Sequence, residues 1–251
     1  MKSTERFSDR VENYVKFRPS YPKQLIDTLV EQCQLSAGSS IADIGSGTGK
    51  LTELLLPVNA TVYAVEPNRE MREAAEQRLH LNRHFVSYAA DSCHTGIADH
   101  SIDLIVAAQA FHWFNPAPSK VEFARILKPA SYVGLIWNER DTGSAFQKAY
   151  DHMLTTYCEE YAQVKHRNIT DSTIEAFFSP HHYRKFTFSF AQHFDMTGFL
   201  GRMYSSSYTP VAGSNEAIAL NNAAHKLFQH HATDHRIEFT YQTILYLAKF
   251  V

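Results

Sequence analysis

The sequence predicts an α/β fold, a mostly parallel β-sheet with helices on both faces. In the first part of the chain, short apolar segments typical of strands alternate with amphipathic segments typical of helices. The strand segments are almost continuously apolar, which fits strands covered on both faces. The length of 251 residues and the 44% hydrophobic share are enough for a sizeable core in one such domain.

The predicted strands can be taken in chain order. Five come first, and two follow after the alternation with helices has ended. They are predicted at 41–44, 61–65, 84–88, 104–108, 132–137, 184–190 and 237–250. The segment 184–190 alternates phenylalanines with polar residues, which predicts a strand buried on one face.

The helices between the strands begin and end at recognisable residues. Residues 1–40 are predicted to be helical up to a polar break at 36–40, and the extended segment FRPSYP at 17–22 interrupts them. The helix 50–56 should end at Pro57. Asn68 has the side chain of an N-cap for the next helix. Ser119 and Glu122 have the spacing of a capping box, which predicts a helix that opens there and runs to Leu127.

After residue 142 the alternation of strands and helices breaks. A long amphipathic helix is predicted at 145–161, and another helix at 214–232. We therefore divide the chain into a core at 1–142, an inserted helical cap at 143–182 over the ligand edge of the sheet, and a return to the core sheet at 183–251. The aromatic residues of the cap are expected mainly to form its own core, and some could line a pocket.

Composition narrows the class of partner and the compartment. The net charge is −2, so no basic excess points to a nucleic acid or to a membrane surface. Three cysteines form no CxxC pair, which suits a reducing cytosol. The N-terminus has no apolar signal core, and no segment has membrane-spanning length. We expect a soluble cytoplasmic protein.

A glycine-rich turn follows the first predicted strand. Gly45, Gly47 and Gly49 alternate with other residues, and Lys50 stands where a dinucleotide site would have its third glycine. Asp43 precedes the turn, and its carboxylate would repel a pyrophosphate but attract a cofactor that carries an ammonium group. This spacing counts against NAD, which we keep as the outside alternative.

The stretch D-x-G-x-G-x-G from Asp43 to Gly49 resembles motif I of the class I S-adenosylmethionine (SAM) methyltransferases. The resemblance implies a Rossmann-like fold with a seven-stranded sheet, and a contact between Asp43 and the methionine end of SAM. It continues through residue 141 in the family's order, with "AAD" after the third strand, "QAFHWF" after the fourth and "RILKPASYVGLIWNERD" at the fifth.

These matches assign a set of cofactor-binding residues. Glu66 ends the second strand, where an acid can accept hydrogen bonds from both ribose hydroxyls. By resemblance, Met71 approaches the adenine and Asp91 accepts from its amino group. The full set implied for SAM also includes Ser46, Thr48, Pro67, Ala90, Ser92, Gln109 and Ala110.

The N-terminal "YVKFRPSYP" carries a narrower resemblance, to small-molecule methyltransferases of the type 11 group that include relatives of the trans-aconitate methyltransferases. In that group the tyrosine and the arginine lie across the SAM site, and this implies the same place for Tyr14 and Arg18. Arg18 could also pair with an acidic acceptor, which favours a carboxylate. The alternative is that both residues only anchor the N-terminal segment.

Residues after the fourth and fifth strands are candidates for the acceptor pocket. His112 is the candidate general base, although it could simply pack beside Trp113. Trp137 and Asn138 leave the fifth strand at the same edge. No [DN]-P-P-Y and no Pro-Cys motif is present, so base and glutamine methylation are disfavoured, and a small-molecule acceptor is expected.

The functional prediction is therefore methyl transfer from SAM to a small molecule, with a carboxylate as one candidate. The alternative is a catalytically silent SAM-binding module that acts through protein partners. His231 and His235 are four residues apart on a predicted helix, but no metal is expected because no third ligand is near. The acceptor atom and the oligomeric state are left open.

Overall fold

A seven-stranded mixed sheet organises the chain, of which the computed structural model describes residues 15–161, 170–211 and 213–250. The strand order is β3-β2-β1-β4-β5-β7-β6. Strands β1 to β5 are parallel, and β7 lies antiparallel between β5 and β6. The strands are β1 (Ser40–Ile44), β2 (Thr61–Val65), β3 (Phe85–Tyr88), β4 (Ile102–Ala108), β5 (Leu127–Arg140), β6 (Tyr183–Phe194) and β7 (Ile237–Lys249). The predicted α/β fold class is confirmed.

Eight helices of at least six residues lie within the described ranges. They are α1 (Lys23–Cys33), α2 (Lys50–Leu55), α3 (Arg69–Leu79), α4 (Pro116–Ile126), α5 (Ala145–Tyr157), α6 (Asp171–Phe178), α7 (Met196–Tyr204) and α8 (Asn215–His231). As predicted, Asn68 caps α3, because its Oδ1 accepts from the backbone N–H of Met71 at 2.9 Å. None of the described helices is long and apolar enough to cross a membrane.

The predicted capping box at Ser119 and Glu122 is wrong. Helix α4 begins earlier, at Pro116, whose fixed φ suits the first helical position. Ser119 and Glu122 are therefore buried inside the helix. Glu122 accepts from the backbone and the hydroxyl of Thr95, at 2.7 and 2.6 Å, and so holds the loop that precedes β4.

Helix α5 is shorter than predicted, since it ends at Tyr157 instead of continuing to residue 161. The apolar pattern that predicts this helix places Phe146, Tyr150, Leu154 and Tyr157 on one side. The first three are buried as expected, but Tyr157 is exposed, so its predicted place is wrong.

Each face of the sheet carries its own hydrophobic core. One face packs against α1 and α2, with Leu25, Leu29 and Leu55 fully buried. The other packs against α4 and α6, with Phe123 and Phe178 fully buried. These helices cover both faces of the parallel strands, and the continuous apolar character of the strands requires such cover.

A third cluster lies beyond the parallel strands, where α5, α7 and α8 pack on the first part of β7. The two described helices of the predicted cap at 143–182 belong to different hydrophobic clusters. Helix α5 belongs to this third cluster, whereas α6 packs in the core of the sheet with Phe250. The division of the chain into three domains stays a prediction.

Candidate cofactor and acceptor site

A cavity of about 590 Å³ opens at the carboxyl ends of the parallel strands, where ligands of such sheets bind. It extends from the turn after β1, across the ends of β2 and β4, to the ends of β5 and β7. Most of the residues predicted to bind SAM line it. They are Arg18, Asp43, Gly45, Ser46, Gly47, Thr48, Glu66, Pro67, Met71, Asp91, Ser92, Gln109 and Ala110.

The glycines of the turn have different roles. Gly45 has φ +71°, and a Cβ there would lie 2.5 Å from the Cβ of Ala110. Gly47 has φ +58°, and a Cβ there would meet no protein atom within 4 Å, because its backbone faces the open cavity. Gly49 does not line the cavity. A Cβ on Gly49 would lie 2.8 Å from Leu79, so this glycine lets α2 pack against α3.

Asp43 presents a buried, incompletely bonded carboxylate to the cavity. It is 1% exposed, and its Oδ2 accepts from the hydroxyl of Thr52 at 2.6 Å. Its Oδ1 is buried and has no hydrogen-bond partner among the described residues. Burial raises the pKa of Asp43 to about 7. A cation placed against Oδ1 would satisfy this oxygen, and the ammonium group of SAM has the required charge.

Glu66, 8% exposed, holds two parts of the cofactor edge together. Its Oε2 accepts from the N–H of Gly47 at 2.9 Å, and its Oε1 accepts from the N–H of Asn68 at 2.8 Å. Burial raises the pKa of Glu66, and the two amide hydrogen bonds oppose that rise. Each carboxylate oxygen can accept more than one hydrogen bond, so the group can still take ribose hydroxyls.

The loops after β3 and β4 complete the cofactor edge. Asp91 accepts from the N–H groups of Cys93 and His94, at 2.8 and 3.0 Å, through one oxygen. Gln109 has φ +57° and donates from its side chain to the carbonyl of Asn138 at 3.0 Å. Ala90 does not line the cavity, and Tyr14 lies outside the described residues.

The predicted acceptor residues also meet at this cavity. His112 is exposed on a 3₁₀ turn, Phe111–Trp113, with its ring centroid 4.7 Å from that of Trp113. Trp137 packs edge-on against Phe111 at 6.3 Å. Asn138 donates to the carbonyl of Ser20 at 2.9 Å and accepts from Thr243 at 2.6 Å. Asn138 therefore ties the N-terminal segment and β7 to the end of β5.

The segment that contains Arg18 crosses the cavity and is fixed on both sides. Lys50 donates to the carbonyl of Val15 at 2.7 Å. Arg18 lines the cavity and donates to the carbonyl of Ser205 at 3.1 Å, through Nη2. Arg18 thus has an anchoring role, and its predicted contact with SAM stays a prediction.

Comparison with known proteins agrees with this geometry. A family model described as a methyltransferase domain matches residues 42–135. An uncharacterized methyltransferase of Mycobacterium tuberculosis is 37% identical over 135 residues, which are 54% of this chain and 53% of that protein. An uncharacterized methyltransferase-like protein of Schizosaccharomyces pombe is 31% identical over 136 residues, which are 54% of this chain and 52% of that protein. The chain spans about half the length of the curated relatives it matches.

Two solved structures show the same fold. A proposed type II methyltransferase from Anaeromyxobacter dehalogenans has a TM-score of 0.67 at 18% identity and covers 94% of this chain and 99% of its own. Geranyl diphosphate C-methyltransferase from Streptomyces coelicolor, in complex with S-adenosyl-L-homocysteine, has a TM-score of 0.52 at 13% identity and covers 91% of this chain and 79% of its own.

Residues 42–135, from the turn at Asp43 into β5, match the methyltransferase domain model and contain most of the predicted motifs. This match supports SAM and not NAD as the cofactor. The resemblance of the N-terminal segment to relatives of trans-aconitate methyltransferases stays a prediction.

The cavity has a far end whose residues the sequence did not predict. Arg140, Arg202, Tyr208 and Tyr241 line it beyond Trp137. Arg140 and Tyr241 are partners in the pairing of β5 with β7, whereas Arg202 comes from α7. No motif joins these residues, because only the packing of distant segments brings them together.

His231 and His235, the pair with metal-ligand spacing, do not lie on the same helix. Helix α8 ends at His231, and His235 has φ +58° in the following turn. Within the ranges 15–161, 170–211 and 213–250, no group of three metal-ligating side chains is found.

Proposed function

We propose that this chain transfers the methyl group of SAM to a small-molecule acceptor. One observation carries the proposal: a single cavity contains both the SAM motifs and a second region at the ends of β5 and β7. A volume of about 590 Å³ lies in the range of small-molecule sites. With a net charge of −2, a basic surface for a nucleic-acid substrate is not favoured.

A carboxylate oxygen is the acceptor atom that we favour. SAM supplies a methyl group bound to a positively charged sulfur, which is already a strong electrophile. A carboxylate lone pair forms the new C–O bond while the C–S pair returns to sulfur, so the products are a methyl ester and S-adenosylhomocysteine and no proton moves. The chain then needs mainly to position the reactants, which contributes roughly 7–11 kcal/mol in well-aligned reactions.

Arg18 supports a carboxylate acceptor, because its guanidinium lines the cavity in which the acceptor must lie. The acidic groups of the cavity, Asp43, Glu66 and Asp91, all lie at the cofactor edge. These carboxylates follow β1, β2 and β3, which β4 separates from the region at β5 and β7.

The test has two stages. Calorimetry should show that the full chain binds SAM and S-adenosylhomocysteine with micromolar affinity and does not bind NAD comparably. A screen with methyl-labelled SAM against metabolites should then find transfer to a small acid, with an ester product that hydrolyses in mild base. Cofactor binding without transfer to any metabolite would favour the silent SAM-binding module, and the absence of SAM binding would refute both.

A further inference from the structure

Arg202 is a buried arginine at the far end of the cavity. It comes from α7, is 7% exposed and lines the cavity wall. Its Nε donates to the hydroxyl of Tyr241 at 3.1 Å, and its Nη1 donates to Ser206 at 3.4 Å. The rings of Phe239 and Tyr241 lie 6.0 Å from the guanidinium carbon. These contacts fix the direction of the guanidinium.

No carboxylate within 4.0 Å neutralises Arg202 in the part of the chain that the structure describes, and its Nη2 has no acceptor there. Arg140 differs, since its Nη2 lies 3.0 Å from Oδ1 of Asp151. A buried charge without a counter-ion is costly, and proteins usually pair it. The cost indicates that an anion from outside the described protein completes this site.

Tyr150 adds a second unsatisfied polar group to the same region. Its hydroxyl is buried and has no hydrogen-bond partner among the described residues. Its ring lies 4.9 Å from the guanidinium carbon of Arg140. Tyr150 does not line the cavity, so Arg202 is the buried cation that faces a ligand there.

Sheet topology places this region on the acceptor side. The SAM motifs follow β1, β2, β3 and β4, whereas Arg202 bonds to Tyr241 of β7, which lies on the other side of β5. Trp137 and Asn138, at the end of β5, lie between the two along the cavity. An anion at Arg202 would therefore belong to the acceptor and not to the cofactor.

We propose that Arg202 is a specificity-determining residue that binds a carboxylate of the methyl acceptor. The proposal rests on the proposed methyltransferase function and concerns the same cavity. The anionic group held there is distinct from the atom that receives the methyl group, because Arg202 lies at the far end of the cavity, across β5 from the SAM motifs. Recognition of this group requires the acceptor to carry an acid, whichever atom is methylated.

A carboxylate suits the site better than a phosphate. The planar guanidinium matches a carboxylate in shape and can form two parallel hydrogen bonds to it. Of the two arginines at the far end of the cavity, Arg202 alone lacks a carboxylate partner among the described residues, since Arg140 is paired with Asp151. One unpaired charge suits the single charge of a carboxylate. The aromatic rings around it, Tyr241 and Phe239, favour a small anion with an apolar body.

The experiment uses the full chain saturated with S-adenosylhomocysteine. Calorimetry measures binding of straight-chain dicarboxylates of three to six carbons, of their uncharged diamides and of inorganic phosphate, to wild type and to Arg202→Met. At least one dicarboxylate should bind at millimolar concentration or below, and more tightly than its diamide and than phosphate. Arg202→Met should weaken that binding about tenfold to a hundredfold, as expected for loss of a charge-assisted hydrogen bond.

Two controls separate this proposal from its alternatives. Arg184→Met removes the same charge from an exposed arginine that bonds to Gln32, outside the cavity, and should leave dicarboxylate binding unchanged. S-adenosylhomocysteine should bind Arg202→Met as it binds wild type. A loss of that binding would assign Arg202 to the cofactor carboxylate and overturn the proposal, while the methyltransferase function would stand.

The proposal is also refuted if no dicarboxylate binds wild type, if phosphate binds more tightly than every dicarboxylate, or if Arg202→Met binds them equally well. Should Arg202→Met fail to fold, Arg202→Gln replaces it, and the comparison of acids with diamides in wild type decides without any variant. An acceptor without an anionic group, found in the metabolite screen, would overturn the proposal on its own. Failure of S-adenosylhomocysteine to bind wild type would instead refute the proposed function.

Discussion

The cofactor half and the acceptor half of the cavity are built in opposite ways. The cofactor half is acidic, with Asp43 and Glu66 buried beside a backbone turn. The acceptor half is basic and aromatic, with Arg140 and Arg202 among tyrosines. The cofactor half follows strand ends within one continuous segment, whereas the acceptor half combines residues from β5, α7 and β7.

This difference shows that the acceptor half can change during evolution independently of the cofactor half. The cofactor half depends on backbone conformation and close approach, as at Gly45, so few substitutions fit it. The acceptor half depends on side chains that project from otherwise ordinary helices and strands. A change there alters what the cavity recognises and leaves the SAM site intact, which is how one fold serves many acceptors.

The largest effect is expected from the glycines of the turn, compared as a pair. In Gly45→Ala the new Cβ would lie 2.5 Å from the Cβ of Ala110, and φ is +71°, so the turn must shift. We expect a loss of at least about 3 kcal/mol of unfolding free energy, since strain and overpacking add. Binding of SAM should fall more than about a hundredfold. Chemical denaturation and calorimetry measure the two effects.

Gly47→Ala is the matched control for that variant. Its Cβ would meet no protein atom within 4 Å, so only the cost of φ +58° remains, about 1 kcal/mol. The same Cβ would occupy the space that faces the cofactor, so SAM binding should fall although stability is largely kept. Equal stability losses in the two variants would contradict this account of the turn.

The second comparison concerns the free energy of unfolding after each arginine of the acceptor half is replaced by methionine. Arg140→Met removes the 3.0 Å ion pair with Asp151, which keeps its hydrogen bond from Tyr161. The substitution should cost about 2 kcal/mol, below the full cost of a buried pair because both groups are partly exposed. Arg202→Met removes a buried charge without a counter-ion and should leave stability unchanged or raise it.

Urea denaturation of both variants in the absence of ligand measures this difference. If Arg202→Met were the more destabilised of the two, the guanidinium of Arg202 would have a structural role, and a site for an external anion would lose its main support. Asp151→Asn in the Arg140→Met background should recover part of the lost stability, because it removes a partly buried charge that no longer faces Arg140.

The same contrast explains what could be predicted from the sequence. The strands and the SAM motifs were predictable, because apolar periodicity and glycine spacing are local signals, and β2 begins and ends where expected, at Thr61–Val65. The capping box failed because Pro116 gave α4 an earlier start. Two short signals for a helix start lie three residues apart there, and the helix begins at the proline.

Arg202 and Tyr241 could not have been found from the sequence. Neither belongs to a motif, and they meet because β7 pairs antiparallel with β5 and α7 packs on β7. Arg18 was found because it lies in a recognisable segment, but its hydrogen bond to Ser205, 187 positions away, was not predictable. Contacts of this range depend on the completed fold.

The third prediction uses pH to test the charge of the cofactor half. The pKa of Asp43 is raised by burial from 3.8 to about 7. The folded chain therefore holds a proton on Asp43 between about pH 4 and 7 that the unfolded chain has released, and this contribution makes stability fall as pH rises through that window. An ammonium group needs the ionised form, so SAM affinity should rise about fivefold from pH 6 to pH 7, about twofold more by pH 8, and then level off.

Asp43→Asn should flatten both dependences. The amide oxygen can still accept from Thr52, so the fold is kept, but SAM affinity should be low at every pH. Calorimetric titrations of wild type and variant between pH 5.5 and pH 8, with denaturation curves at the same values, provide the measurement. A wild-type affinity that does not change with pH would show that the unpaired oxygen of Asp43 does not face a cation.

The smallest effect is expected at His112. This residue lines the cavity beside the acceptor half, and its side chain is exposed. A general base would contribute about 10²–10⁴-fold to the rate. A carboxylate acceptor has no proton to lose, so His112→Ala should change the Michaelis constant for the acceptor a few-fold and leave the pH profile of the rate unchanged. His182→Ala, at an exposed position away from the cavity, is the matched control.

If the wild-type rate rises with pH through an imidazole-like range and His112→Ala abolishes that rise, the acceptor carries a proton and His112 removes it. The acceptor half would then take part in the reaction as well as bind the acceptor, and it would differ from the cofactor half in chemical role as well as in charge.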